Sequence, residues 1–130
     1  MPARYGRTIR ESVMSAQYLE KLQERLREFA QRRDWEQFHA PKNLAMALSV
    51  EAAELLEHFQ WISEQQSEQL SADKLEQIGF ELADVFIYTV RLADRLGVDL
   101  DELVQQKIQI NEKKYPAEKV YGSAKKYTEY

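Results

Sequence analysis

Two acidic pairs with the same three-residue step stand inside apolar stretches of the chain. Glu51 and Glu54 lie in SVEAAELLEHFQW, and Glu81 and Asp84 lie in GFELADVFIYTV. Residues three apart share a helix face, so each pair sets two carboxylates side by side. Like charges at that spacing repel, and taking them out of water adds a desolvation cost. A divalent cation held between two such helices removes both penalties. Mg2+ takes oxygen ligands and keeps several waters, and it can clamp phosphate oxygens and acidify water. Mn2+ can substitute on ligand type. With 2 histidines and no cysteine, the chain excludes thiolate metal sites and speaks against a His-rich zinc site. Glu57, one further step of three along, is either a peripheral ligand or a solvated acid. Glu76 and Asp94 read as surface charges.

Other residues supply the chemistry for a phosphate or a base. Lys107 and Asn111 are four apart, hence on one helix face, and offer a compact cation beside a donor and acceptor. Tyr88 follows Asp84 by one helical turn, so its hydroxyl can reach the same space, and Arg91 continues that direction or pairs with an acid. Trp35, Phe38 and His39 occupy a break between two helical patterns, and Trp61 closes the second. An aromatic wall with one imidazole suits a base pocket; packing within a bundle is the plainer use of the same side chains.

The elements that must position these groups are all helical. Glycine (4) and proline (3) are scarce, and no segment alternates as a strand would. A first helix is expected from about Ala16 to Arg33, capped by Ser15, with Leu19, Leu22, Leu26 and Phe29 as its apolar stripe. A second spans roughly Lys42 to Phe59, with Pro41 near its start. ISEQQSEQ reads as a polar surface linker. A third helix runs from Ala72, capped by Ser71, to Leu96, with Gly97 just beyond its end. A fourth runs from Leu100 to about Lys114, capped by Asp99 and stopped by Pro116. The third helix is apolar almost all round at VFIYTV, residues 85–90. It therefore needs more than one neighbour, at the centre of an oligomer or of a monomeric bundle. Residues 1–14 are expected to be a flexible N-terminal tail, 15–116 one all-α, four-helix bundle-like domain, and 117–130 a C-terminal tail.

The chain's 130 residues suffice for one domain with a core, and 44 % hydrophobic with 31 % charged residues is an ordinary globular balance. A net charge of −4 supplies no broad basic field, which speaks against stable nucleic-acid binding. No apolar run reaches membrane-spanning length, and the start lacks a secretory signal pattern. The absence of cysteine fits a reducing compartment, and a cytoplasmic enzyme is expected.

The stretches RDWEQFHAPKNLAMALSVEAAELLEHFQW, ELADVFIYTVRLADRLGVDL and KIQINEKKYP, followed by GSAKKYT, resemble the all-α nucleotide pyrophosphohydrolases of the MazG-like superfamily, and within it the dCTP pyrophosphatase branch. The resemblance covers most residues from Arg33 to Thr128. It implies Mg2+-dependent hydrolysis of a (deoxy)nucleoside triphosphate, dCTP or a modified dCTP first, to the monophosphate and pyrophosphate. It implies metal ligands and catalytic acids at Glu51, Glu54, Glu81 and Asp84. Substrate contacts are implied at Trp35, Phe38, His39, Trp61 and Tyr88, with Lys107 and Asn111 at the phosphates. It also implies a homo-oligomer, a tetramer rather than a dimer. Glu54 is the favoured base for the attacking water, although the sequence does not separate it from Glu51. Members of the branch carry a histidine in the first helix where this chain has Leu26, which weakens the implied cytosine preference and leaves the metal site intact. The competing reading is a non-catalytic nucleotide-binding helical oligomer with a structural or regulatory metal.

Overall fold

The computed structural model describes residues 9–129, whose chain groups into two compact units that divide between Val98 and Asp99. The described part of the first unit holds α1 (Ile9–Gln31), a 3-10 turn (Glu36–Phe38), α2 (Pro41–Glu57), α3 (Glu64–Ser67) and α4 (Ala72–Leu96). The second holds α5 (Leu100–Lys114), α6 (Ala117–Val120) and a closing 3-10 turn (Tyr127–Glu129). The all-α expectation holds: no strand occurs among the described residues. Nor is any helix among them long and apolar enough to cross a membrane.

Helix α4 is the centre of the first unit and packs on both α2 and α1, more extensively on α2. Its limits follow from local chemistry. The Ser71 side chain accepts a hydrogen bond from the Lys74 amide at 3.2 Å, which satisfies one of the orphan donors of the first turn. At the other end Gly97 adopts a left-handed conformation, φ 68°. The amides of Gly97 and Val98 then return to the carbonyls of Asp94 and Ala93, the bond pair of a Schellman ending. Ile78, Val90 and Ala93 of α4, with Ala30 and Leu44, are the buried apolar residues of the unit.

The end of α1 uses the same device without glycine. Asp34 stands at φ 52°, and the amides of Asp34 and Trp35 bond to the carbonyls of Gln31 and Ala30. Aspartate tolerates this region better than bulkier residues, and here Gln37 Nε2 donates to its Oδ2 at 3.0 Å. The reversal turns Trp35 back toward α1. Ala40 is extended before Pro41, as a residue preceding proline must be, and α2 starts there.

Three expectations require correction. Helix α1 begins at Ile9, not Ala16, and Ser15 lies inside it rather than capping it. Residues 9–16 contain no glycine or proline, and a helix already nucleated gains a hydrogen bond with each residue added. The expected tail at residues 1–8 lies outside the described residues. The segment read as a plain linker contains α3, closed by a reciprocal box in which Ser63 Oγ accepts from the Gln66 amide and Gln66 Oε1 from the Ser63 amide. The C-terminal tail contains one helical turn, α6.

A Cβ at Gly97 would meet nothing within 4 Å, so substitution there costs backbone strain alone. Gly97→Ala is expected to lower unfolding free energy by about 1 kcal/mol in urea titration.

Candidate functional site

The packing of α2 against α4 brings three of the four singled-out acids together. Glu51, Glu81 and Asp84 each offer a carboxylate oxygen within 4.8 Å of the other two. Glu51 Oε2 and Glu81 Oε2 are buried and have no hydrogen-bond partner. Unpaired buried acceptors of this kind are expensive. Oxygen-only donors, converging from two helices and lacking protein donors, fit a hard divalent cation such as Mg2+ or Mn2+.

Glu54 stands outside that three-oxygen group, which departs from a four-ligand set. It faces Glu51 instead. The Glu51 carboxyl is pushed up from 4.5 to about 7, first by burial, then by a hydrogen bond and repulsion from Glu54, then by Asp84 and Glu81. When protonated, Glu51 can donate to Glu54; when ionised, its Oε2 has no donor. His58, which sequence reading passed over, brings Nε2 to 3.8 Å from Glu81 Oε1. Its spacing of four from Glu54 and seven from Glu51 was the available signal. Glu57 is exposed and belongs to no acidic group of this kind.

Asp84 also lines an open cavity of about 490 Å3 bordered by α1, the turn after it and α4, with Leu22, Leu26, Phe29, Trp35, His39 and Tyr88 among its walls. Phe29 and Trp35 meet edge to face, ring centres 5.8 Å apart, and Trp35 is followed by His39 at 6.4 Å. The guanidinium of Arg33 caps the outer face of Phe29 at 3.6 Å. Burial holds the Tyr88 hydroxyl above its usual range, and Glu51, Asp84 and Glu54 add to the shift, so it remains a phenol. Burial, then Arg91 and Arg95, hold His39 below the ordinary imidazole value, so it is neutral at pH 7.

Trp35, His39, Tyr88 and Asp84 thus share one cavity. Phe38 and Trp61 do not line it: Phe38 is 61 % exposed on the 3-10 turn, and Trp61, 87 % exposed, follows the end of α2 instead of closing it. Lys107 and Asn111 lie on α5 of the second unit, both exposed. Asp94 is no surface charge. It takes a two-pronged ion pair from Arg27 at 2.8 and 3.1 Å and a bond from Arg91 at 3.2 Å.

The MazG-like family model matches residues 46–130. Human dCTP pyrophosphatase 1 is 46 % identical over 104 residues, which cover 78 % of this chain and 61 % of the human protein. The cattle protein of the same name is 42 % identical over 120 residues, 91 % of this chain and 71 % of its own length. The chain thus spans less than two thirds of the human relative. Among solved structures, a pyrophosphatase from Archaeoglobus fulgidus superposes with a TM-score of 0.67 at 42 % identity, covering 76 % of this chain and 93 % of that one.

The raised Glu51 carboxyl has a stability consequence with a definite sign. The folded, metal-free protein holds this proton more tightly than the unfolded chain. The contribution is therefore full below about pH 4.5 and is lost as pH rises through about 7. Melting of metal-free protein should drop across that window, the drop should flatten in Glu51→Gln, and Mg2+ should raise the melting temperature more at pH 8 than at pH 5.5. A wild-type profile that matches Glu51→Gln throughout would contradict the assignment.

Proposed function

The chain belongs to the MazG-like family, and from that membership and its acidic site we propose that it hydrolyses a (deoxy)nucleoside triphosphate, dCTP or a modified dCTP first, to the monophosphate and pyrophosphate. One observation carries the reading. Asp84 belongs both to the three-carboxylate group and to the wall of the aromatic cavity. A ligand with a planar base at one end and a chain of phosphates at the other matches that adjacency. The similarity to the human and cattle proteins named dCTP pyrophosphatase 1 supports the same choice.

Glu51, Glu81 and Asp84 would hold Mg2+. When bound there, the ion supplies positive charge against phosphate oxygens and makes water at the site more acidic. The protein's own groups do the rest. Trp35 and Phe29 stack on the base, and the apolar walls exclude water from it. Tyr88 offers its hydroxyl near Asp84. Glu54, outside the three-oxygen group, is the carboxylate left to accept a proton from the attacking water. The water oxygen bonds to the α phosphorus, the bond from that phosphorus to the α,β-bridging oxygen breaks, and pyrophosphate leaves with the electron pair. Lys107 and Asn111, one turn apart on α5, are phosphate contacts on the family resemblance.

The active form is a homo-oligomer, a tetramer before a dimer. Leu75, Leu82 and Phe86 form an exposed stripe on α4, with Met46 and Val50 exposed on α2. Within the stripe a Cβ on Gly79 would meet nothing within 4 Å, so no contact among the described residues requires glycine there. The missing side chain leaves room for the close approach of a second copy.

Incubation with Mg2+ and each common dNTP should release pyrophosphate and the monophosphate. Glu54→Gln and Asp84→Asn should each lower kcat at least about 100-fold while retaining the wild-type circular dichroism. Orthophosphate as the first product, or wild-type turnover in either variant, would sink the reading.

A further inference from the structure

Arg91 is the buried charged residue among those described, 3 % exposed, and it lines the cavity from α4. A guanidinium keeps its proton in proteins, so a fixed positive charge sits in the cavity wall. Two of its three nitrogens are engaged. Nε donates to His39 Nδ1 at 3.2 Å, and Nη1 donates to Asp94 Oδ2 at 3.2 Å. Nη2 is buried and makes no hydrogen bond. Glu36 Oε1 lies 3.8 Å from it, too far to accept one. Asp94 is already shared with Arg27. A buried charged donor without an acceptor is costly unless something else satisfies it.

The bond from Arg91 also fixes its neighbour. An Nδ1 that accepts carries no hydrogen, so neutral His39 has its hydrogen on Nε2. That hydrogen points to the side of the ring away from Arg91, which leaves Arg91 Nη2 as the donor without an acceptor. The surrounding Leu22, Leu26, Phe29 and Ile87 offer no side-chain polar atom at all. A fixed donor in an apolar setting recognises a ligand atom that accepts and rejects one that carries a hydrogen.

We propose that Arg91 is a specificity-determining residue that reads the base: Arg91 Nη2 donates to the acceptor N3 of cytosine. Uracil and thymine carry a hydrogen at N3, which would set donor against donor. Leu26 cannot make such a contact, and Arg91 brings the polar group into the same cavity from another helix. This assignment rests on the nucleotide reading of the site above, but the interaction itself needs neither metal nor hydrolysis.

The test is calorimetric titration with dCMP, dUMP and 3-deaza-dCMP, in which a C–H replaces N3. Wild-type protein should bind dCMP about tenfold or more tighter than the other two. Arg91→Met should lose that margin, with dCMP weakened about tenfold or more and the three ligands brought within about twofold. Arg91→Lys, which keeps the charge in a different shape, should fall between. Equal wild-type affinity for dCMP and 3-deaza-dCMP would overturn the proposal. So would an equal loss for all three ligands in Arg91→Met, or no dCMP binding at millimolar concentration. The wild-type comparison decides the matter even if Arg91→Met does not fold. Base preference without pyrophosphate release from any dNTP would leave Arg91 in place and remove the hydrolytic reading; release without preference would do the reverse.

Discussion

Carboxylates forced together between two packed helices set the terms for the rest of the molecule. Leu44 on α2 and Ile78 on α4 are buried in the apolar centre, and the helix contact they belong to brings Glu51 against Glu81 and Asp84. The same contact strips water from Glu51 Oε2 and Glu81 Oε2. Hydrophobic burial thus creates an electrostatic debt that the chain alone does not settle. Part of it is met by a proton, which is why the Glu51 carboxyl holds on to about 7. A divalent cation meets it fully and, unlike a proton, leaves the carboxylates ionised.

The positive counterpart lies on the far side of Asp84. Seven residues on from Asp84, Arg91 is buried on the same helix and held by Asp94 and His39. Helix α4 therefore carries Asp84, then the Tyr88 hydroxyl, then a buried guanidinium, along one face that borders the cavity. The order is the one that the proposed nucleotide reading calls for, with a cation at the phosphates and a donor at the base. Arg27 reaches across from α1 to Asp94 and ties the cavity's two long walls together.

Much of this arrangement was legible in the residues. The limits of α4 came from Ser71 and Gly97, because caps act through bonds to near neighbours. The acids came from a local spacing as well. What escaped depends on distance in sequence. Asp94 looked like a surface charge because its partner Arg27 lies 67 residues away. The direction of Arg91 was visible, but not its burial, since that is set by α1 and the turn at His39. Trp61 and Phe38 looked like pocket residues by type, yet aromatic character alone does not say which way a side chain at a helix end will face. Ser15 was a cap by composition and an interior residue in fact, since no glycine or proline lies between Ile9 and it.

The central claim, that the α2–α4 acids form one divalent-cation site, is tested most directly by anomalous diffraction from crystals soaked in Mn2+. The expected result is a manganese peak within coordination distance of oxygens from Glu51, Glu81 and Asp84 together, lost in crystals of Glu81→Gln. Well-ordered crystals that show manganese only elsewhere, or none at saturating concentration, would contradict the account.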